Sequence, residues 1–191
     1  MRVLVACEFS GTVRDAFRDR GHDAVSCDLL PSERPGPHHQ GGVGGLVAER
    51  GWESWDLLVA HPPCTHLAVS GARWLKGDPG RMRLHREASR FFQWLLDAPV
   101  PRVAVENPVM IRRHNGVRPH DFSVQPRRFG HGEIKRTCFW TRGLPPPGPT
   151  DVVEGREARV HRASPGPDRW KERSRTYRGI ADAMADQWGG A

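Results

Sequence analysis

Cysteine is sparse and ungrouped in this chain. Cys7, Cys27, Cys64 and Cys138 stand far apart, and none forms a C-x-x-C pair. That pattern excludes a zinc ribbon and a disulfide scaffold, and it fits a reducing compartment. His38-His39 lacks a companion ligand of convincing spacing, His61, Cys64 and His66 make a possible but disfavoured cluster, and no metal is expected. No apolar run approaches membrane-spanning length. The opening MRVLVACEF carries one positive charge and too short an apolar stretch for a secretory signal. The expectation is a soluble, cytoplasmic protein without a membrane partner. Internal repeats are absent, and tyrosine occurs once against seven tryptophans. Acidic residues are outnumbered: 22 Asp+Glu face 29 Lys+Arg, a formal charge of +7. A polyanionic partner is the natural inference, with a merely solvated basic surface as the plain alternative. The excess gathers beyond residue 110, at Arg112, Arg113, Arg118, Arg127, Arg128, Lys135, Arg136 and Arg142.

What is present reads as alternating strands and helices. Arg2 to Ala6 is a β-branched-rich strand. Glu8-Phe9-Ser10-Gly11 turns into a helix from Thr12 to Arg20, closed by Gly21, and Asp23 to Cys27 is a second strand ending at Asp28. The unit is of the mononucleotide-binding kind, but G-x-G-x-x-G is missing, so it is no standard dinucleotide site. Pro31 to Gly45 reads as loop. Leu57 to Ala60 is a short buried strand stopped by Pro62-Pro63, with Cys64 directly after. Ser70 to Gly80 is loop. Arg81 to Asp97 is the clearest helix, with apolar residues at three- and four-residue steps. Arg102 to Val105 is the next strand, ending in Glu106-Asn107-Pro108. Later elements are a short strand at Phe122 to Gln125, a better one at Arg136 to Thr141, and a helix from Gly179 to Trp188. Asp151 to Arg175 is charged, holds Pro165 and Pro167, and reads as a mobile or nucleic-acid-contacting segment.

The chemistry concentrates where two successive parallel strands end. Carboxyl ends of parallel strands share one edge, and ligands bind there. Cys64 and Glu106 therefore point to one crevice, where a thiol and a carboxyl group suit covalent catalysis with proton handling. The plain alternatives are a small buried hydrophobe for Cys64 and a helix cap or surface charge for Glu106.

The order of these motifs resembles the DNA cytosine-C5 methyltransferases. Phe9-Ser10-Gly11 looks like that family's F-x-G cofactor turn, and Asp28, with Leu29 beside it, stands where an acidic residue holds the cofactor ribose. Pro62-Pro63-Cys64 looks like the catalytic Pro-Cys motif, and Glu106-Asn107 looks like the Glu-Asn motif, with Pro108 in place of an aliphatic residue. Phe129-Gly130 followed by Lys135-Arg136 is similar to the basic motif, and Ser174-Arg175-Thr176 is similar to the closing motif that returns to the cofactor pocket. The sequence departs at Thr65, where Gln is usual, at Gln40 to Val43, where an acid is usual, and at Thr137, where a second Arg is usual. The stretch available for target recognition, Pro145 to Arg173, is far shorter than the family norm and too small for its own core.

The resemblance implies an α/β, Rossmann-like S-adenosylmethionine-dependent fold: a mostly parallel sheet with flanking helices in one catalytic domain over residues 1–191. Residues 145–173 stand in for the recognition domain, and residues 174–191 pack back on the core. The implied reaction is methyl transfer from S-adenosylmethionine to C5 of cytosine in DNA, through a Cys64 adduct at C6. Glu106 would assist at N3, and Lys135 or Arg136 would support the thiolate or the base. Phe9, Ser10, Gly11, Asp28, Leu29, Pro62 and Thr176 would hold the cofactor. The base must leave any duplex to be reached. Alternatives are the same chemistry on a free cytosine nucleotide or single strand, transfer of a modified one-carbon group, amino methylation (against which Cys64 and His61 both speak), and a non-catalytic nucleic-acid-binding module. A separate specificity partner is compatible with the small recognition region, and the sequence sets no oligomeric state.

Overall fold

The computed structural model describes residues 1–113 and 115–190. Its centre is a seven-stranded sheet in the order β3-β2-β1-β4-β5-β7-β6. Here β1 is Arg2–Ala6, β2 Asp23–Asp28, β3 His38–Gln40, β4 Leu57–Ala60, β5 Arg102–Asn107, β6 Phe122–Val124 and β7 Thr137–Arg142. The first five strands in that order pair in parallel, while β7 runs antiparallel to both neighbours. The helices are α1 Thr12–Arg18, α2 Val43–Arg50, α3 Pro79–Leu96, α4 Arg159–Arg162, α5 Arg169–Ser174 and α6 Arg178–Gly189.

The central strands are apolar along their whole length because both faces are covered. Leu57 to Ala60 is buried at every position. Successive side chains point to opposite faces. Leu58, Ala60, Val103 and Val105 join a core with Leu46 of α2 and Phe92 and Leu95 of α3. Leu57, Val59 and Ala104 join the other core with Val13 and Phe17 of α1 and Met184 and Trp188 of α6. The final helix therefore supplies half of one layer. Gln187 and Gly148 exchange hydrogen bonds, and the Trp188 indole donates to the Pro145 carbonyl oxygen, so the proline-rich run is pinned to α6.

Several expectations change, among them the Ser70 to Gly80 loop, which holds a 3-10 helix at Val69–Trp74 and the start of α3 at Pro79. The Pro31 to Gly45 segment is not all loop: it contains β3 and the start of α2. Pairing to β2 creates β3, and His38 ties it down, with Nδ1 2.8 Å from Ser26 Oγ. Glu106 and Asn107 do not follow β5 but are its last two residues, paired with Phe139 and Cys138 of β7. The first helix stops at Arg18, two residues early. The Asp151 to Arg175 segment carries α4 and α5 and bridges at Phe129–Asp151 and Glu133–Glu157. Arg175 closes onto Glu33 at 2.6 Å, which fixes that segment against the loop after β2. Among the described residues, no helix is long and apolar enough to cross a membrane.

Candidate active site

The strand order reverses direction between β1 and β4, the place where open α/β sheets leave a crevice at their carboxyl edge. A cleft lies there. It is lined by the turn after β1 (Cys7 to Ser10), the turn after β4 (His61 to Cys64), the end of β5 (Glu106 to Pro108), Lys135, and Arg173 to Thr176. The reversal of β7 explains Lys135. Because Asn107 of β5 faces Cys138, the residues leading into β7 start at the same edge where β5 finishes.

Cys64 follows two prolines on a turn whose shape is fixed from behind. The Asn107 side-chain amide donates to the Pro62 carbonyl oxygen at 2.8 Å, which couples the two strand ends. Cys64 is exposed as a residue, while its thiol is turned into the cleft wall and desolvated there. Its desolvation and the nearby Glu106 charge push its pKa up, while Lys135 and Arg173 pull it down. Burial lowers the Lys135 pKa, and the charges of Glu106 and Cys64 oppose that shift. The Lys135 ammonium donates to the Arg175 carbonyl oxygen at 3.0 Å. Thiol, carboxyl and amine thus form one electrostatic unit. On the other side of Glu106 stands His61, with Nδ1 3.1 Å from Oε2; both side chains are largely buried.

The turn after β1 is built around two buried charges. Glu8 accepts from the backbone N–H groups of Val13 at 2.6 Å and Arg14 at 3.1 Å, and from Ser10 Oγ at 3.2 Å. It satisfies the first turn of α1, whose own cap residue, Gly11, offers no side chain. Gly11 must be glycine for two reasons: its φ is +70°, and a Cβ there would lie 2.6 Å from the Arg14 guanidinium. Arg14 is fully buried and spends all its donors. Nε goes to Asp15, Nη1 to Ser26 and Ser32, and Nη2 to the carbonyl oxygens of Arg34 and Pro35. Cys7, lining the cleft, holds φ 58°, a conformation that costs a residue with a side chain about 1–2 kcal/mol.

The structure gathers Cys64, Glu106, Lys135, Phe9, Ser10, Pro62 and Thr176 around this cleft. Arg136 is not among them: it is exposed, and its Nε donates to Ser123 Oγ at 3.2 Å. Gly11 lies behind the cleft wall, against Arg14. Asp28 and Leu29 flank the cleft without lining it. Asp28 accepts from the Leu30 N–H at 2.9 Å, and Leu29 is 75% exposed. The sequence marks His61 only as a possible metal ligand or a motif departure, and it marks neither Arg14 nor Arg173 as a site residue. An arginine is normally a surface residue, and nothing in its neighbours marked Arg14 as buried. The segment over the cleft is held by Trp170, whose ring lies 5.8 Å from that of Phe9. The cleft's free volume is about 90 Å³, well below the roughly 300–1,000 Å³ of sites that enclose a drug-sized ligand. Among the described residues, no group of three or more His, Cys, Asp or Glu could hold a metal ion.

No family model matches this chain, and no curated protein matches it. Solved structures do match. One is a candidate DNA modification methyltransferase encoded within a prophage (E. coli), 16% identical, with a TM-score of 0.45, covering 73% of this chain and 45% of that one. The chain thus spans less than half the length of that structure, and a likeness this remote assigns no activity.

Proposed function

We propose that this chain is a methyltransferase that uses S-adenosylmethionine to modify C5 of cytosine in DNA, with Cys64 as nucleophile. The observation that carries this reading is the meeting of Cys64, Glu106 and Lys135 in one cleft beside the β1 turn. Cytosine C5 is a weak nucleophile. Adding the Cys64 sulfur at C6 moves electron density to C5, and a proton shared by Glu106 with N3 drains charge from the ring. Burial and the Glu106 charge raise the thiol pKa, and Lys135 and Arg173 oppose them, which favours the thiolate that must attack.

The residues around the β1 turn suit S-adenosylmethionine better than a phosphate-bearing cofactor. Helix N-termini of this kind ordinarily receive a phosphate on free N–H groups. Here the Glu8 carboxylate already takes the Val13 and Arg14 N–H groups, and a second anion would be repelled. A cationic sulfonium meets the opposite field. Asp28 would hold ribose hydroxyls, while Phe9 and Leu29 would give apolar surface to the adenine. When bound, the cofactor supplies an electrophilic methyl group. The exposed Leu29 and the small cleft volume agree with a donor lying partly outside the cleft, which itself receives the base.

Only a short segment, α4 and α5 with their flanks, occupies the place of a recognition domain. Single-stranded DNA or a nucleotide is therefore the second reading of the substrate. The test is covalent trapping. Oligonucleotides carrying 5-fluoro-2′-deoxycytidine, as duplex and as single strand, and 5-fluoro-deoxycytidine monophosphate are incubated with the protein and S-adenosylmethionine. Intact mass should show one adduct, lost in Cys64→Ala, and the preferred probe names the substrate class. A wild-type chain that forms no adduct with any probe overturns the proposal.

A further inference from the structure

Resting on that reading of the cleft, we infer that His61 is a positioning and proton-sharing partner of Glu106, and that the pair, rather than the carboxyl group alone, supplies the N3 proton. A carboxyl group is ordinarily ionised at neutral pH and has no proton to give. His61 removes that difficulty by geometry. Its Nδ1 stands 3.1 Å from Glu106 Oε2, within hydrogen-bond reach, and both side chains are nearly withdrawn from water, at 8% and 13% exposure. The His61 ring lines the same cleft as Cys64. Its Nε2 is buried without a partner, so the ring is not held by a second hydrogen bond that would fix its protonation state. The residue comes from the turn after β4 and the carboxyl group from the end of β5, so strand pairing presets their contact.

With the shared proton on the imidazole, the pair is imidazolium and carboxylate. As Sγ adds to C6, Glu106 relays that proton from Nδ1 to N3, which leaves neutral His61 and a protonated ring. Once C5 carries the methyl group, the C5 proton leaves to water, the Sγ–C6 bond breaks to return the thiolate, and N3 returns its proton by the same route, so the pair neither gains nor loses a proton over the cycle. The other titratable groups that feel Glu106 are Cys64 on the β4 turn, Lys135 before β7, and Cys138 within β7; Arg173 lines the cleft opposite. These stay constant when only His61 is changed.

The experiment compares adduct formation on the 5-fluorocytosine probe for wild type, His61→Asn and His61→Ala across pH 5.5–9. Asn can still donate to Oε2 but cannot carry a proton. His61→Asn should therefore slow adduct formation about 10²-fold and change the shape of the pH profile, and His61→Ala should be at least as slow. A His61→Asn rate and profile equal to wild type overturns the inference. A second measurement is independent of turnover. In the full chain with ¹⁵N-labelled histidine, the His61 ring signals should titrate differently in Glu106→Gln than in wild type. Identical titration curves overturn the pairing even if a variant folds poorly. A wild-type chain that forms no adduct, but whose His61 signals respond to Glu106→Gln, would sink the cytosine reading while leaving the pair standing.

Discussion

The two halves of the carboxyl edge are built on opposite plans. Around β4 and β5 the reactive side chains face into the cleft and are coupled to one another: His61 to Glu106, and Glu106 and Lys135 to Cys64. Around β1 and β2 the strongest polar groups are committed to the fold, although Glu8 lies in the cleft wall. Glu8 caps α1, and Arg14 ties α1 to β2 and to the 32–35 loop. The groups left for a ligand there are the half-buried Asp28 and the exposed Leu29. One half keeps a low-dielectric pocket in which charges act strongly on each other. The other spends its buried charges on holding a loop still, beside the surface on which the proposed donor would rest. Chemistry and donor binding should therefore fail separately when residues from the two halves are changed.

The largest effect expected from the donor half is on folding. Arg14→Met keeps the apolar stem but removes every donor from Ser26, Ser32 and the Arg34 and Pro35 carbonyl oxygens, and it leaves Asp15 without its closest cation. Breaking a buried charged network of this sort costs about 3–5 kcal/mol. For a chain of this size that lowers the melting temperature by roughly 10 °C. Thermal unfolding followed by circular dichroism reads it directly. A loss under about 1 kcal/mol would mean that the network stabilises little, and that the donor surface is held by something else.

How much of this was legible beforehand follows from what local sequence can carry. The strand ends at Cys64 and Glu106 were readable because short apolar runs stop hard at proline-containing turns, and parallel pairing then forces both residues to one edge. β3 and α2 were not. Three residues in a Pro-, Gly- and His-rich stretch become a strand only by pairing with β2, and α2 contains Gly44 and Gly45, which local propensity counts against a helix. Lys135 was legible as a motif residue, but its separation from Arg136 was not: entry into β7 brings Lys135 to the cleft and leaves Arg136 exposed. The His61–Glu106 contact joins residues 45 apart and depends on strand register. Glu8 and Arg14 read as ordinary polar residues of a turn and a helix, because burial of a charge is a tertiary fact.

Within the chemical half, two substitutions should move thiol reactivity in opposite directions. Glu106 raises the Cys64 pKa and Lys135 lowers it. Glu106→Gln should thus increase the thiolate fraction, while Lys135→Met should reduce it. Iodoacetamide labelling of Cys64 at pH 7.5, read by mass, should speed up roughly 3-fold in the first and slow roughly 3-fold in the second. Both differences should vanish at pH values above the raised thiol pKa, where every form is thiolate. Turnover should fall in both variants, so Glu106→Gln would combine a more reactive thiol with a slower enzyme. Labelling rates that move together would show that the two residues act on the loop's shape and not on its charge.

The smallest effect is expected where the surface is most open, and it is the most direct probe of the donor half. Leu29 is 75% exposed, so truncating it removes little packing, and Leu29→Ala should change stability by no more than about 0.5 kcal/mol. If its side chain covers the adenine of a bound donor, the same substitution loses apolar contact in the complex alone. The affinity for S-adenosylhomocysteine, measured by calorimetry, should then weaken about 3- to 10-fold, with Cys64 labelling unchanged. Unchanged affinity would remove Leu29 from the donor site. It would also shift the proposed adenine position toward Phe9, where the Trp170 ring already stands 5.8 Å away and would have to swing aside. Leu29 follows β2 as an exposed residue, and single exposed leucines are ordinary on a protein surface, so this measurement alone decides whether a donor covers it.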